Sequence, residues 1–98
     1  MDLLEQIRTK ILSWPEVEEK PNKFGTKRSY FVKGKEFCHF HNDSQMDIMK
    51  TKIVTKDKRI EPNPYSDSWV WFNFKNEKDA RMAINICKAA YQEVVKCI

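Results

Sequence analysis

A chain of 98 residues that is 41% hydrophobic, 33% charged and 12% aromatic, with 2 glycines and 4 prolines, has the size of one domain. That composition excludes the disordered, fibrous and low-complexity classes. Its 18 basic and 14 acidic residues leave a net charge of +4, which bears on partners and solubility but not on fold.

Residues 3–14 read as a helix, because Leu3, Leu4, Ile7, Ile11 and Leu12 recur at helical spacing; Asp2 is its N-cap and Trp14-Pro15 its end. Residues 16–28, with Pro21 and Gly25, read as a surface connection. Residues 28–32 and 36–41 predict a β-hairpin turning at Lys33-Gly34, and residues 45–50 a third strand after the Asn42-Asp43-Ser44 turn. Residues 52–59 are expected to form a short helix, and Glu61-Pro62-Asn63-Pro64 to be irregular, since proline removes backbone donors. Residues 68–74 form the clearest strand, apolar on both sides, and therefore an inner strand with both faces covered. Asn76 caps a helix over 77–96 whose apolar stripe includes Ala80, Ala83, Cys87, Tyr91 and Val94. The expected order is α-β-β-β-(α)-β-α: a single α+β domain over residues 1–98, with an antiparallel sheet of about four strands and both terminal helices on one face.

Several functions are excluded early. No run of 18 apolar residues exists and the N-terminus lacks the layout of a signal peptide, so a cytoplasmic location with no membrane partner is expected. Cys38, Cys87 and Cys97 are odd in number and lack CxxC spacing, against a disulfide framework and a cysteine zinc site. Two glycines, at 25 and 34, cannot make a phosphate loop. No cofactor is expected.

The chemistry-bearing residues fall into three groups. His39 and His41 alternate along a strand and so share a face, about 7 Å apart. Strict alternation gives that face Phe37 as well, with Asp43 and Asp47 just beyond to orient the imidazoles. One histidine can accept a proton while the other holds a ligand oxygen; His39 is the first choice for the acceptor, with the reverse assignment open. The competing reading is a structural, hydrogen-bonded pair; a metal would need a third ligand. Trp69 and Trp71 also alternate, opposite Val70 and Phe72. Placed away from the helices, they would join the histidines in an aromatic cleft suited to a planar small molecule; otherwise they are core. Finally, Lys20, Lys23, Lys27, Arg28, Lys33 and Lys35 put six positive charges and no acid into residues 20–35, interleaved with Phe24, Tyr30 and Phe31. This is a candidate nucleic-acid or protein-binding surface, the less favoured alternative, or simply a solvated edge.

The ordered set Trp14-Pro15-x-Val17, Pro21-x-x-Phe24-Gly25, Gly34-Lys35-x-Phe37, His39-Phe40-His41, Met46-Asp47-Ile48, Glu61-Pro62 and Ser68-Trp69-Val70 resembles the small luciferase-domain family, over roughly residues 11–91. The resemblance implies a domain related to fungal luciferase proteins, and its name suggests oxygen-dependent oxidation of an aromatic substrate without a flavin. The family pattern tends to carry a histidine after the Glu-Pro pair; Asn63 stands there in this chain, a departure that counts against a three-histidine site. A looser resemblance, through Trp14 to Val17 and Phe31-Val32-x-Gly34-Lys35, is to the MmcQ/YjbR-like proteins. Whether the chain is an enzyme is left open by its residues.

Overall fold

The computed structural model describes residues 2–51 and 59–97. The chain runs α1 (Leu3–Leu12), β1 (Val17–Lys20), β2 (Ser29–Val32), β3 (Lys35–Asn42), β4 (Gln45–Met49), β5 (Ile60–Pro62), β6 (Trp69–Asn73) and α2 (Glu77–Cys97). All six strands join one antiparallel sheet in the order β1-β2-β3-β4-β6-β5. This is an α+β fold with two helices on one face. The sheet has six strands rather than about four.

Both additional strands lie in stretches read as irregular. β1 runs alongside β2 at one edge, with Val17 opposite Val32 and Lys20 opposite Ser29. Glu19 is fastened there because its carboxylate accepts from the Arg8 guanidinium at 2.7 Å and from the Tyr30 hydroxyl at 2.8 Å. β5 occupies the other edge, the one place in a sheet where Pro62 costs no ladder bond. Most of the expected helix over 52–59 lies outside the described residues.

Local sequence explains the rest. The Asp2 carboxylate accepts from the Glu5 amide at 2.8 Å, and the Asn76 side chain from the Asp79 amide at 2.9 Å, capping the two helices. Lys33 (φ 52°) and Gly34 (φ 82°) form the two-residue hairpin loop, with both residues in the left-handed region that this kind of turn requires. The core lies between sheet and helices: Ile7 and Ile11 of α1 and Ala83, Cys87, Ala90 and Val94 of α2 cover Tyr30, Cys38, Phe40, Met46, Ile48 and Phe72. Trp14 stacks between Phe37 and Tyr91, and the Tyr91 hydroxyl donates to the Pro15 carbonyl at 2.9 Å, so the last helix is tied to the beginning of the fold.

β6 is an inner strand, between β4 and β5, but its two sides differ. Val70 and Phe72 are buried under the helices, whereas Trp69 and Trp71 are half-buried on the opposite face, which neither α1 nor α2 covers, so the strand is not enclosed on both sides by these helices as its apolar run predicted.

Candidate functional site

The open face of the sheet carries a cleft built on the central strands. Register sets its middle row: His39 of β3 stands opposite Asp47 of β4, which stands opposite Trp71 of β6. Each imidazole lies against a tryptophan, His39 with Trp69 at 5.4 Å and His41 with Trp71 at 5.5 Å between ring centres. The cavity above them measures about 590 Å³ and is walled by these four rings together with Phe24 and Tyr65 from two loops.

β3 departs from simple alternation, and the departure decides which residues reach the cleft. Tyr30 and Phe31 of β2 face Cys38 and Glu36 of β3, so Phe37 is an extra residue in a β-bulge. The bulge turns both Phe37 and Cys38 toward the helices. Phe37 is fully buried against Trp14 and Tyr91 and does not share the histidine face as alternation predicted. Glu36 takes its place beside His39. A second irregularity, between Phe40 and Asn42, leaves His41 as the extra residue near the end of the strand.

Asp47 is the hub. Its side chain is only 5% exposed; one oxygen accepts from His39 Nε2 at 2.8 Å and lies 3.6 Å from His41 Nδ1, and the other accepts from the Asn63 amide at 2.6 Å. On the far side of the same ring, His39 Nδ1 donates to Glu36 Oε2 at 3.1 Å, and Asn22 donates to that oxygen too. Burial alone would pull the His39 pKa down, but hydrogen bonds to Asp47 and Glu36 outweigh it and push the pKa up to about 9. Burial would likewise raise Glu36, yet its bonds with His39 and Asn22 hold it below its ordinary value. At neutral pH the centre is therefore a carboxylate–imidazolium–carboxylate sandwich. A doubly bonded imidazolium has no lone pair with which to accept a proton. His41 differs: its side chain is 46% exposed, and among the described residues only its Nδ1 faces a carboxylate.

The remaining sequence candidates lie elsewhere. Asp43 does not reach the imidazoles; its side chain is 96% exposed in the β3–β4 turn, 3.7 Å from Arg28, because that tight turn points it to solvent. The six cations of residues 20–35 divide between two ends of the β1–β2–β3 ribbon, with Lys20 at the Ser29 end and Lys33 at the Val32 end, about 10 Å apart along the strand. Lys33 lies 3.7 Å from Glu16, and Lys20 and Lys23 sit over the rings of Phe31 and Phe24. Cys38 is buried, and burial together with neighbouring Cys87 raises its thiol pKa well above the usual range, so it is unreactive. Among the described residues no three His, Cys, Asp or Glu side chains converge as a metal-holding group.

With this geometry in place, comparison with known families is informative. The family model of the luciferase domain matches residues 34–90, which carry both histidines, Asp47, both tryptophans and most of α2. The chain belongs to the luciferase domain family. Neither the curated proteins nor the solved structures gave a match, and the resemblance to MmcQ/YjbR-like proteins is not shown. The matched stretch of the luciferase domain runs from the start of β3 into α2 and so contains the His39, His41, Asp47, Trp69 and Trp71 positions of the cleft. Asn22 and Phe24, which reach the cleft from the loop after β1, lie before it.

Glu36, Asn22, Asn63 and Tyr65 were not singled out as site residues from sequence. A bulge has no reliable signature in one strand, which hides Glu36. Asn63 had one mark: it stands where the family pattern tends to have a histidine, and that position does reach Asp47.

Among the described residues no helix is long and apolar enough to cross a membrane.

Proposed function

We propose that the cleft binds a small planar aromatic molecule. The observation that carries this reading is the pair Trp69 and Trp71. They stand half-buried on the face the helices leave open, each beside an imidazole, around a cavity of about 590 Å³. Polar hubs with aromatic walls are the usual make-up of small-molecule sites, and flat rings stack favourably on such walls.

The bonding supports different tasks for the two histidines. His39, charged and held on both nitrogens, fixes the floor; His41, with its Nε2 free of any carboxylate among the described residues, is the proton acceptor or oxygen partner. This reverses the first choice made from sequence. Membership of the luciferase domain family makes oxidation of the bound aromatic by dioxygen, without an organic cofactor, the first reaction to assay, although a shared domain does not carry a reaction with it.

Calorimetric titration with 7-hydroxycoumarin, a flat two-ring phenol, tests the binding. Saturable binding is expected for the wild type, weakened at least tenfold in the folded Trp69→Ala/Trp71→Ala variant. Equal affinity in the two proteins, or none in either, rejects the reading. A nucleic-acid role for the Lys20–Lys35 stretch has less support, since its charges are divided and Arg28 and Lys33 already face carboxylates. It would show as DNA binding that weakens steeply with salt.

A further inference from the structure

The two most exposed large hydrophobic rings of the described residues are Phe24, 81% exposed, and Tyr65, 86% exposed. They belong to different loops, 41 positions apart in the chain, yet both line the same cleft. Exposed aromatic side chains that gather at one site call for an explanation, unlike those scattered singly.

How the loops are held supplies one. Asn22 and Asn63 are built into the molecule in the same way. The Asn22 side-chain oxygen accepts from the Phe24 amide at 2.9 Å and the Thr26 amide at 3.0 Å, shaping its loop, while its amide donates to Glu36 at 3.1 Å. The Asn63 oxygen accepts from the Tyr65 amide at 2.8 Å, while its amide donates to Asp47 at 2.6 Å. In each case the aromatic residue lies two positions after the asparagine. Glu36 and Asp47 flank opposite nitrogens of His39, so the two loops approach the floor from opposite sides. The Tyr65 ring meets the Trp71 ring edge-on, 6.4 Å between centres, closing one corner of the wall.

We propose that Phe24 and Tyr65 are ligand-binding residues, a two-sided aromatic clamp on the planar molecule held by Trp69 and Trp71, and that Asn22 and Asn63 are positioning residues fixing the clamp to the Glu36–His39–Asp47 floor. The inference rests on the cleft reading above and adds to it. The tryptophans supply the wall that stacks on the ligand, and the loop rings supply the rim that covers it. Tyr65 lies within the stretch matched by the luciferase domain, and Phe24 lies ten residues before its start.

Titration of the full chain with 7-hydroxycoumarin tests the clamp. Phe24→Ala and Tyr65→Ala should each weaken binding about three- to tenfold, the range for one lost aromatic contact. Asn63→Ala should weaken it by a similar factor in the wild type and have little further effect in a Tyr65→Ala background, because positioning without the positioned ring does nothing. Asn22→Ala against Phe24→Ala repeats the test should Asn63→Ala fail to fold. If both ring variants bind within twofold of wild type while the tryptophan variant does not bind, the clamp is overturned and the cleft stands. If the wild type does not bind, or binds regardless of the tryptophans, cleft and clamp fall together. Equal losses from Asn63→Ala in both backgrounds overturn the positioning role.

Discussion

The two faces of this sheet answer opposite demands with the same strands. Under the helices, Phe37, Cys38, Phe40, Met46, Ile48 and Phe72 are buried together. On the other face, Glu36, His39 and Asp47 place two carboxylates and an imidazolium over the same backbone. Core packing tolerates any apolar shape that fills space. The polar floor tolerates no missing partner, because an unpaired buried charge costs several kcal/mol. The bulge at Phe37 separates the two by sending consecutive residues, Phe37 and Cys38, to the core and leaving Glu36 and His39 together outside it.

That contrast can be broken by experiment. The largest expected effect is on the packed side: Phe72→Ala should lower unfolding free energy by about 3–5 kcal/mol in urea denaturation, whereas Trp71→Ala, one residue away, should lower it by roughly 1–2 kcal/mol and act mainly on ligand binding. Similar losses would erase the distinction between the faces. Asp47→Ala should come next, at about 3 kcal/mol, since it takes the partner from His39 Nε2 and from the Asn63 amide and leaves the imidazolium with Glu36 alone.

The pH dependence of stability sharpens the picture of the floor. The His39 pKa is raised from an unfolded value near 6.5 to about 9 in the folded protein, so the folded chain holds a proton the unfolded chain has lost across that window. Its stabilisation is complete below about pH 6.5 and is lost as pH rises through about 9, on the order of 3 kcal/mol. Urea midpoints at pH 6, 7.5 and 9 should fall accordingly in the wild type, and the slope should flatten in His39→Gln. The smallest effect belongs to Asp43→Ala, which should change stability by less than about 0.5 kcal/mol and leave ligand binding untouched. A change in 7-hydroxycoumarin affinity there would mean that the β3–β4 turn does reach the cleft.

Much of this was legible in the chain. Helix periodicity, the Lys33-Gly34 turn and the apolar run of Trp69 to Phe74 are strong local patterns, and the structure follows them. That Trp69 and Trp71 share a face followed from period-two alternation; that this face is left open by α1 and α2 did not, because the strand was expected to be covered on both sides. What alternation could not foresee is a place where it stops. The extra residue in β3 exchanges Phe37 for Glu36, and nothing in Lys35–His39 announces it. β1 was missed because Val17–Lys20 is a short edge strand of alternating burial, with no apolar run to reveal it. β5 was missed because a proline argues against a strand except at an edge, and edge position is a property of the whole sheet. The protonation of His39 was hidden for the same reason, since one of its two carboxylates arrives only through the bulge.

The bond from the Tyr91 hydroxyl to the Pro15 carbonyl joins residues 76 positions apart. Loop-closure entropy for such a contact must be met before any of its gain is realised. The sheet can pair strand by strand as the chain lengthens, but its helix-facing side has only α1 over it until α2 is available. During synthesis, then, this face is sealed only when α2, which follows all the described strands, has docked, and until then part of the apolar side of the sheet is open to the contacts that lead to aggregation.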